Sequence, residues 1–124
     1  MGVTLTPREL EIMTILWALG SGTVADVRDR LPDDLAYTTV LSLIRTMEEK
    51  GYLRHEVEGR AHRYHPKIQK QSVRKSALKH LVDNVFQGAP ELVMTQLVSD
   101  RSLSEDELRR IRQLIDERLP DGEK

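Results

Sequence analysis

The chain has 124 residues, enough for one compact domain or two small lobes, and its 39% apolar residues allow a modest core. It contains no cysteine, which excludes disulfides and thiolate metal sites. No apolar run reaches the length of a membrane span, and no signal-peptide pattern is visible, so we expect a cytoplasmic protein with no membrane partner. The net charge of −1 argues against a nonspecific nucleic-acid coat protein.

Two short helices are predicted before residue 33. Thr6 and Glu9 form a capping box that starts the first helix, and Gly20 ends it. Thr23, with Asp26 at the third helical position, starts the second helix. The apolar residues expected to face inward are Leu10, Met13, Trp17, Val24, Val27 and Leu31.

Residues 36–66 predict a third helix, a stop at Gly51 and a β-hairpin. The strand-like runs LRHEV and AHRYH flank a turn at residues 58–60. Three helices followed by a hairpin are the layout of a winged helix-turn-helix, in which the third helix enters the major groove and the hairpin reaches phosphates. The third helix has an apolar face formed by Val40, Leu43, Ile44 and Met47.

The polar face of the third helix and the hairpin carry the candidate DNA contacts. Short hydroxyl side chains can bond phosphates or base edges, and Arg45 suits either guanine or phosphate. Tyr37 either contacts a phosphate or covers the helix junction. Residues 54–75 hold seven basic and two acidic side chains, which indicates phosphate binding unless the clustering is chance on a solvated surface. The candidates are Tyr37, Thr38, Thr39, Ser42, Arg45, Arg60 and Arg63.

Alternation along the hairpin strands predicts that Leu53, Val57 and Tyr64 point inward, with His55 and His62 on the same face. Two imidazoles without a neighbouring cysteine do not complete a tetrahedral site. We therefore expect ordinary wing histidines, no metal and no cofactor.

Residues 69–124 predict three further helices, of which the last begins at a second capping box, Ser104 with Glu107. The predicted organisation is a winged-helix domain at 1–68 and a helical dimerisation domain at 69–124, mainly α overall. These three helices are too small for a good core, so we expect them to pair with a second copy of the chain. The expected dimer contacts are Leu81, Val85, Leu92, Leu97, Leu108, Ile111, Ile115 and Leu119.

Four blocks in this order resemble the penicillinase-repressor (BlaI/MecI) family of bacterial transcription regulators: LTPRELEIMTILW, AYTTVLSLIRTMEEKGYL, GRAHRYHP and LVMTQLVSDRSLSEDELRRIRQLI. The resemblance implies a homodimeric repressor on a palindromic DNA operator. It also implies release by a sensor-linked protease that cuts the dimerisation lobe. The family's cut lies between asparagine and phenylalanine, and the matching bond here is Gln96–Leu97.

An enzyme is not expected. No serine, histidine and carboxylate arrangement stands in a catalytic motif, and no glycine-rich loop precedes a helix. The alternative function, which belongs to a different class, is that of a winged-helix protein-interaction or structural dimerisation module without DNA binding.

Overall fold

The computed structural model describes residues 4–119. In this part of the chain it is mainly helical with a two-stranded antiparallel hairpin, so the predicted winged helix-turn-helix fold is confirmed. The helices that precede the hairpin and the hairpin itself are α1 (Pro7–Leu19), α2 (Val24–Arg30), α3 (Tyr37–Glu49), β1 (Leu53–Glu58) and β2 (Ala61–Pro66). The helices that follow it are α4 (Lys70–Asn84), α5 (Pro90–Ser99) and α6 (Glu105–Arg118).

The chain forms two compact units that divide between Lys79 and His80, inside α4. The predicted boundary after residue 68 lies just before this helix. The first turns of α4 belong to the first unit, where Val73 is buried. The indole of Trp17 also donates to the carbonyl of Ile68 at 2.9 Å, which fixes the segment between β2 and α4 against α1.

Helix starts follow the sequence signals. Capping boxes are present at the beginning of α1, α2 and α6, with Thr6, Thr23 and Ser104 as the capping residues. Each hydroxyl accepts from a backbone N–H while a carboxylate three residues later accepts from the cap's own N–H. Gly20 and Gly51 both have φ of +86°, a left-handed conformation that glycine adopts without steric cost as the chain leaves α1 and α3.

The core of the first unit lies among α1, α2, α3 and the base of the hairpin. The set of buried residues differs at two positions from the residues that the sequence predicts to face inward. Leu10 is 44% exposed, because α1 turns Ile12, rather than Leu10, toward the core beside Met13. Val57 is 71% exposed although it shares a strand face with Leu53, since it lies further out along the hairpin than the core reaches. The core residues are Ile12, Met13, Leu16, Val24, Val27, Leu31, Val40, Ile44, Met47, Leu53 and Tyr64.

The hairpin is joined to the helices by a backbone bridge. Strand pairing aligns Leu53 with Pro66 and His55 with Tyr64. On its other edge, β2 pairs with the loop between α1 and α2. There the Tyr64 N–H donates to the Gly22 carbonyl at 2.7 Å, and the Gly22 N–H donates to the Tyr64 carbonyl at 3.0 Å. The base of the wing is therefore bonded on two sides.

An ion pair between a buried carboxylate and an exposed lysine connects the start of α1 to the end of α3. Glu9 is only 4% exposed, and its carboxylate accepts from Lys50 Nζ at 2.7 Å and from the Thr6 N–H at 3.0 Å. Burial is the largest influence on Glu9 and opposes its ionisation. The bonds from Lys50 and Thr6 together outweigh burial, so the pKa of Glu9 lies below its usual value.

Replacing Lys50 with methionine is expected to make the protein more sensitive to acid. A carboxylate whose folded pKa is depressed stabilises the fold above its unfolded pKa, and this stability is lost as pH falls through the folded pKa. Without Lys50 the pKa of Glu9 rises, so the loss begins at higher pH. Urea unfolding between pH 3 and 7 measures this shift. Lys67→Met removes the same charge from an exposed site, and an equal acid shift there would contradict the assignment.

Candidate nucleic-acid interface

Helix α3 presents its polar face to solvent because its apolar face is fully used by the core. Val40, Ile44 and Met47 are completely buried on one side. The helix also starts differently from α1, α2 and α6, since its N-cap, Ala36, has no side chain able to cap it. Its first-turn N–H groups therefore lack a side-chain acceptor. The residues exposed on the opposite side are Tyr37, Thr38, Thr39, Ser42 and Arg45.

A groove of about 200 Å³ separates the start of α3 from the tip of the hairpin. Its floor includes the buried Tyr64 and Val24, and its sides carry polar and cationic groups. The helices contribute Val24, Tyr37, Leu41 and Arg45, and the hairpin contributes Arg60, Ala61, His62 and Tyr64. The groove thus joins the two elements that a winged-helix protein uses on DNA.

The predicted arginines fall into two groups. Arg45 and Arg60 line the groove, and within residues 4–119 neither guanidinium has an ion pair or a hydrogen bond. Arg63 is held instead by Glu58, with Nε at 2.8 Å from Oε2 and Nη2 at 3.1 Å from Oε1. The hydrogen bonds and charge of Arg63 hold the pKa of Glu58 below its usual value. Arg45 and Arg60 are therefore available to an external anion, while Arg63 already has an acceptor.

The structure brings together only part of the predicted site. Tyr37, Arg45 and Arg60 share the groove, whereas Thr38, Thr39 and Ser42 are exposed elsewhere on α3. Strand alternation places Arg63 on the hairpin face opposite the groove residue His62. The participation of Leu41 and His62 was not predicted. The strand parity that puts His62 on the inner face was the available signal for it.

His55 and His62 lie on one face of the hairpin, as strand alternation predicts. Their rings stack with centroids 4.3 Å apart, and His55 Nδ1 contacts a carboxylate oxygen of Glu48 on α3. Across residues 4–119 no group of three or more histidine and carboxylate side chains is placed to hold a metal ion. The stacked pair and Glu48 therefore connect the outer hairpin to the end of α3.

The second unit exposes its apolar side chains. Between residues 80 and 119 no residue is buried, and Leu97 is 38%, Ile115 47% and Leu119 62% exposed. Ile111 is half-buried. None of the helices within residues 4–119 is long and apolar enough to cross a membrane. The other predicted dimer contacts, Leu81, Val85, Leu92 and Leu108, are also exposed.

The three-helix core, the bridged hairpin and the exposed polar face of α3 define a winged helix-turn-helix DNA-binding protein. The sequence model of the penicillinase repressor matches residues 5–117. The chain belongs to the penicillinase-repressor family, whose members are transcriptional repressors and not enzymes.

Relatives of known sequence cover most of the chain. A 16.5 kDa protein of Latilactobacillus sakei, encoded in the ptsI 3′ region, is 26% identical over 113 residues, which are 90% of this chain and 77% of that protein. The methicillin resistance regulatory protein MecI of Staphylococcus aureus (strain N315) is 19% identical over 112 residues. That match covers 89% of this chain and 91% of MecI.

One solved structure resembles the N-terminal part of the chain, and another resembles nearly the whole chain. The DNA-binding domain of the repressor BlaI has a TM-score of 0.51 and 26% identity, and the match covers 58% of this chain and 93% of that domain. A MarR family protein from Bacillus stearothermophilus has a TM-score of 0.52 and 20% identity, covering 95% of this chain and 78% of that protein. The second likeness shows that the fold, including the helices after the wing, recurs elsewhere.

Proposed function

We propose that this chain is a homodimeric repressor that binds a palindromic operator, with one first unit on each half-site. The observation that carries the proposal is the groove beside the exposed polar face of α3, which is lined by Arg45 and Arg60. Among residues 4–119 neither arginine has an ion pair or a hydrogen bond. In a family of transcriptional repressors, such a surface suits the major groove and its adjacent phosphates. A repressor acting on operator DNA would work in the bacterial cytoplasm.

The side chains of α3 and the wing have separate proposed roles. Thr38, Thr39 and Ser42 are short and exposed, so the backbone of α3 can approach base edges closely enough for their hydroxyls to form hydrogen bonds. Tyr37, at 46% exposure on the edge of the groove, is proposed to bond a phosphate. Arg63 contributes positive charge near the DNA, reduced by its pairing with Glu58.

The exposed apolar side chains of the second unit support dimerisation. A unit of this size with no buried residue among those described gains little stability by itself, and a second copy would remove its apolar surface from water. Two-fold symmetry would then present two α3 helices to the same side of the duplex. Half-sites about one helical turn apart, or a multiple of this spacing, would follow.

The test is a gel-shift titration against DNA from upstream of the chain's own gene and against an unrelated duplex, at several salt concentrations. Operator binding should be tighter, and log affinity should fall linearly with log salt, because bound phosphates release counterions. A dimer that binds neither DNA at low salt would favour the alternative, a protein-interaction module without DNA binding. Footprinting would then give the half-site spacing.

Release by a sensor-linked protease is proposed at Gln96–Leu97, on the family resemblance alone. This peptide bond lies inside α5, where the side-chain amide of Gln96 donates to the Asp100 carboxylate at 2.8 Å. Cutting the peptide bond therefore requires local unwinding of the helix. A cut would separate α6 from the rest of its chain, and an isolated helix of this length is marginal in water. The dimer would then weaken and repression would end.

Mass spectrometry of the chain recovered from induced cells is expected to show two fragments divided after Gln96, with intact chain in uninduced cells. The fragments should appear before the regulated transcript rises. An intact 124-residue chain alongside full derepression would exclude cleavage as the signal.

A further inference from the structure

The groove between α3 and the wing has the charge of an anion site. Two guanidinium groups line it, one from each element, and none of its lining residues is acidic. Two acids on the same elements are engaged elsewhere, since Glu58 binds Arg63 and Glu48 contacts His55. Two cations on the walls of one concavity, without an internal acceptor, favour a negatively charged occupant.

The shape and lining of the groove indicate what this occupant can be. The groove is a surface concavity of about 200 Å³ that is open to solvent. A single phosphate group of a DNA backbone can enter such a concavity from outside. Val24, Leu41 and Tyr64 contribute apolar surface to the lining, which suits the edge of a deoxyribose. The Tyr37 and His62 side chains in the lining add polar groups.

We propose that this groove seats one backbone phosphate of the operator in each half-site, held jointly by Arg45 of α3 and Arg60 of the wing. The proposal rests on the DNA-binding function above and resolves the role of Arg45, which binds phosphate rather than guanine. A guanidinium presents several N–H donors in a rigid fork, so two arginines can bond different oxygens of the same phosphate. The seat therefore fixes the position of the wing relative to α3 along the DNA backbone.

The shared seat predicts that neutralising one phosphate in each half-site abolishes the contribution of both arginines. The probe is a 30-base-pair duplex selected by the wild-type protein from a random pool, then remade with two uncharged methylphosphonates at symmetry-related positions, one in each half-site, for each such pair of backbone positions in turn. On the unmodified duplex, Arg45→Ala and Arg60→Ala should each weaken binding about tenfold. At one position per half-site, both variants should bind the modified duplex as the wild-type protein does.

Arg28→Ala is the matched control, because Arg28 is exposed on α2 and does not line the groove. Any loss of DNA affinity that Arg28→Ala causes should persist on the modified duplex to which Arg45→Ala and Arg60→Ala bind as the wild-type protein does. Masking of Arg45→Ala and Arg60→Ala at different phosphates would overturn the shared seat. The shared seat would also be overturned if the loss of affinity in Arg45→Ala disappeared only when a base, rather than a phosphate, was changed. Failure of the wild-type protein to select any duplex would instead refute the proposed function.

Discussion

Replacing Ile115 with aspartate is expected to convert the proposed dimer into monomers and to weaken binding to the proposed operator by at least about a hundredfold. Ile115 is 47% exposed in the single chain and lies on the apolar side of α6, so a second copy would bury the new carboxylate. Burying a charge without a partner costs several kcal/mol. Losing the link between half-sites removes an avidity of about 10²–10⁴. Sedimentation velocity and gel shifts measure the two effects.

Gln113→Asp adds the same carboxylate to the opposite side of α6 and is the matched control, since Gln113 is exposed there. It should leave both the mass and the operator affinity nearly unchanged. If Ile115→Asp sediments as a dimer, then α6 does not hold the two copies together. If it is monomeric but binds the operator normally, dimerisation is not needed for DNA recognition.

Truncating Tyr64 to alanine is expected to cost about 3–5 kcal/mol of unfolding free energy, the usual range for a large buried aromatic side chain. Tyr64 is 1% exposed and packs at the point where the hairpin meets the helices. The cavity would loosen β2 from the loop at Gly22 and move Arg60 away from Arg45. Urea denaturation should show the loss of stability, and DNA affinity should fall with it even well below the unfolding midpoint.

Val57→Ala provides the comparison on the same hairpin face, where Val57 is 71% exposed. Its unfolding free energy should stay within about 0.5 kcal/mol of wild type. Tyr64→Phe keeps the ring and should retain most of the stability and the DNA affinity. A Tyr64→Ala protein as stable as Val57→Ala would show that the hairpin base contributes little to the core.

Local sequence signals predicted the elements well, because their physical causes are themselves local. The capping boxes predicted at Thr6 and Ser104 each need only residues three apart, and both are present. The N-cap predicted at Thr23 is also present, and there Asp26 completes a third capping box. The apolar face of α3 was also predicted, since Val40, Ile44 and Met47 repeat at helical spacing over about two turns. The family resemblance, which drew on four blocks in order, is likewise confirmed.

Long-range geometry was not available from the sequence. The pattern in α1 predicted an apolar stripe that includes Leu10, and only packing against α2 and α3 decides that Ile12 rather than Leu10 is buried. The pairing of Arg63 with Glu58 depends on the hairpin register and on rotamers. The groove itself joins residues from α2, α3 and the wing, and no spacing rule in one chain relates Arg45 to Arg60. The DNA and dimer contacts therefore stay predictions.

The backbone bridge between Gly22 and Tyr64 affects the entropy of DNA binding. A wing attached only through its own two strands would sample many orientations, and ordering each backbone residue on the DNA would cost about 1–2 kcal/mol. Here β2 is hydrogen-bonded to β1 on one edge and to the helix loop on the other, so its base is already ordered in the free protein. Only the turn around Gly59 is left to adapt. A preorganised wing of this kind allows modest phosphate contacts to contribute nearly all of their free energy to affinity.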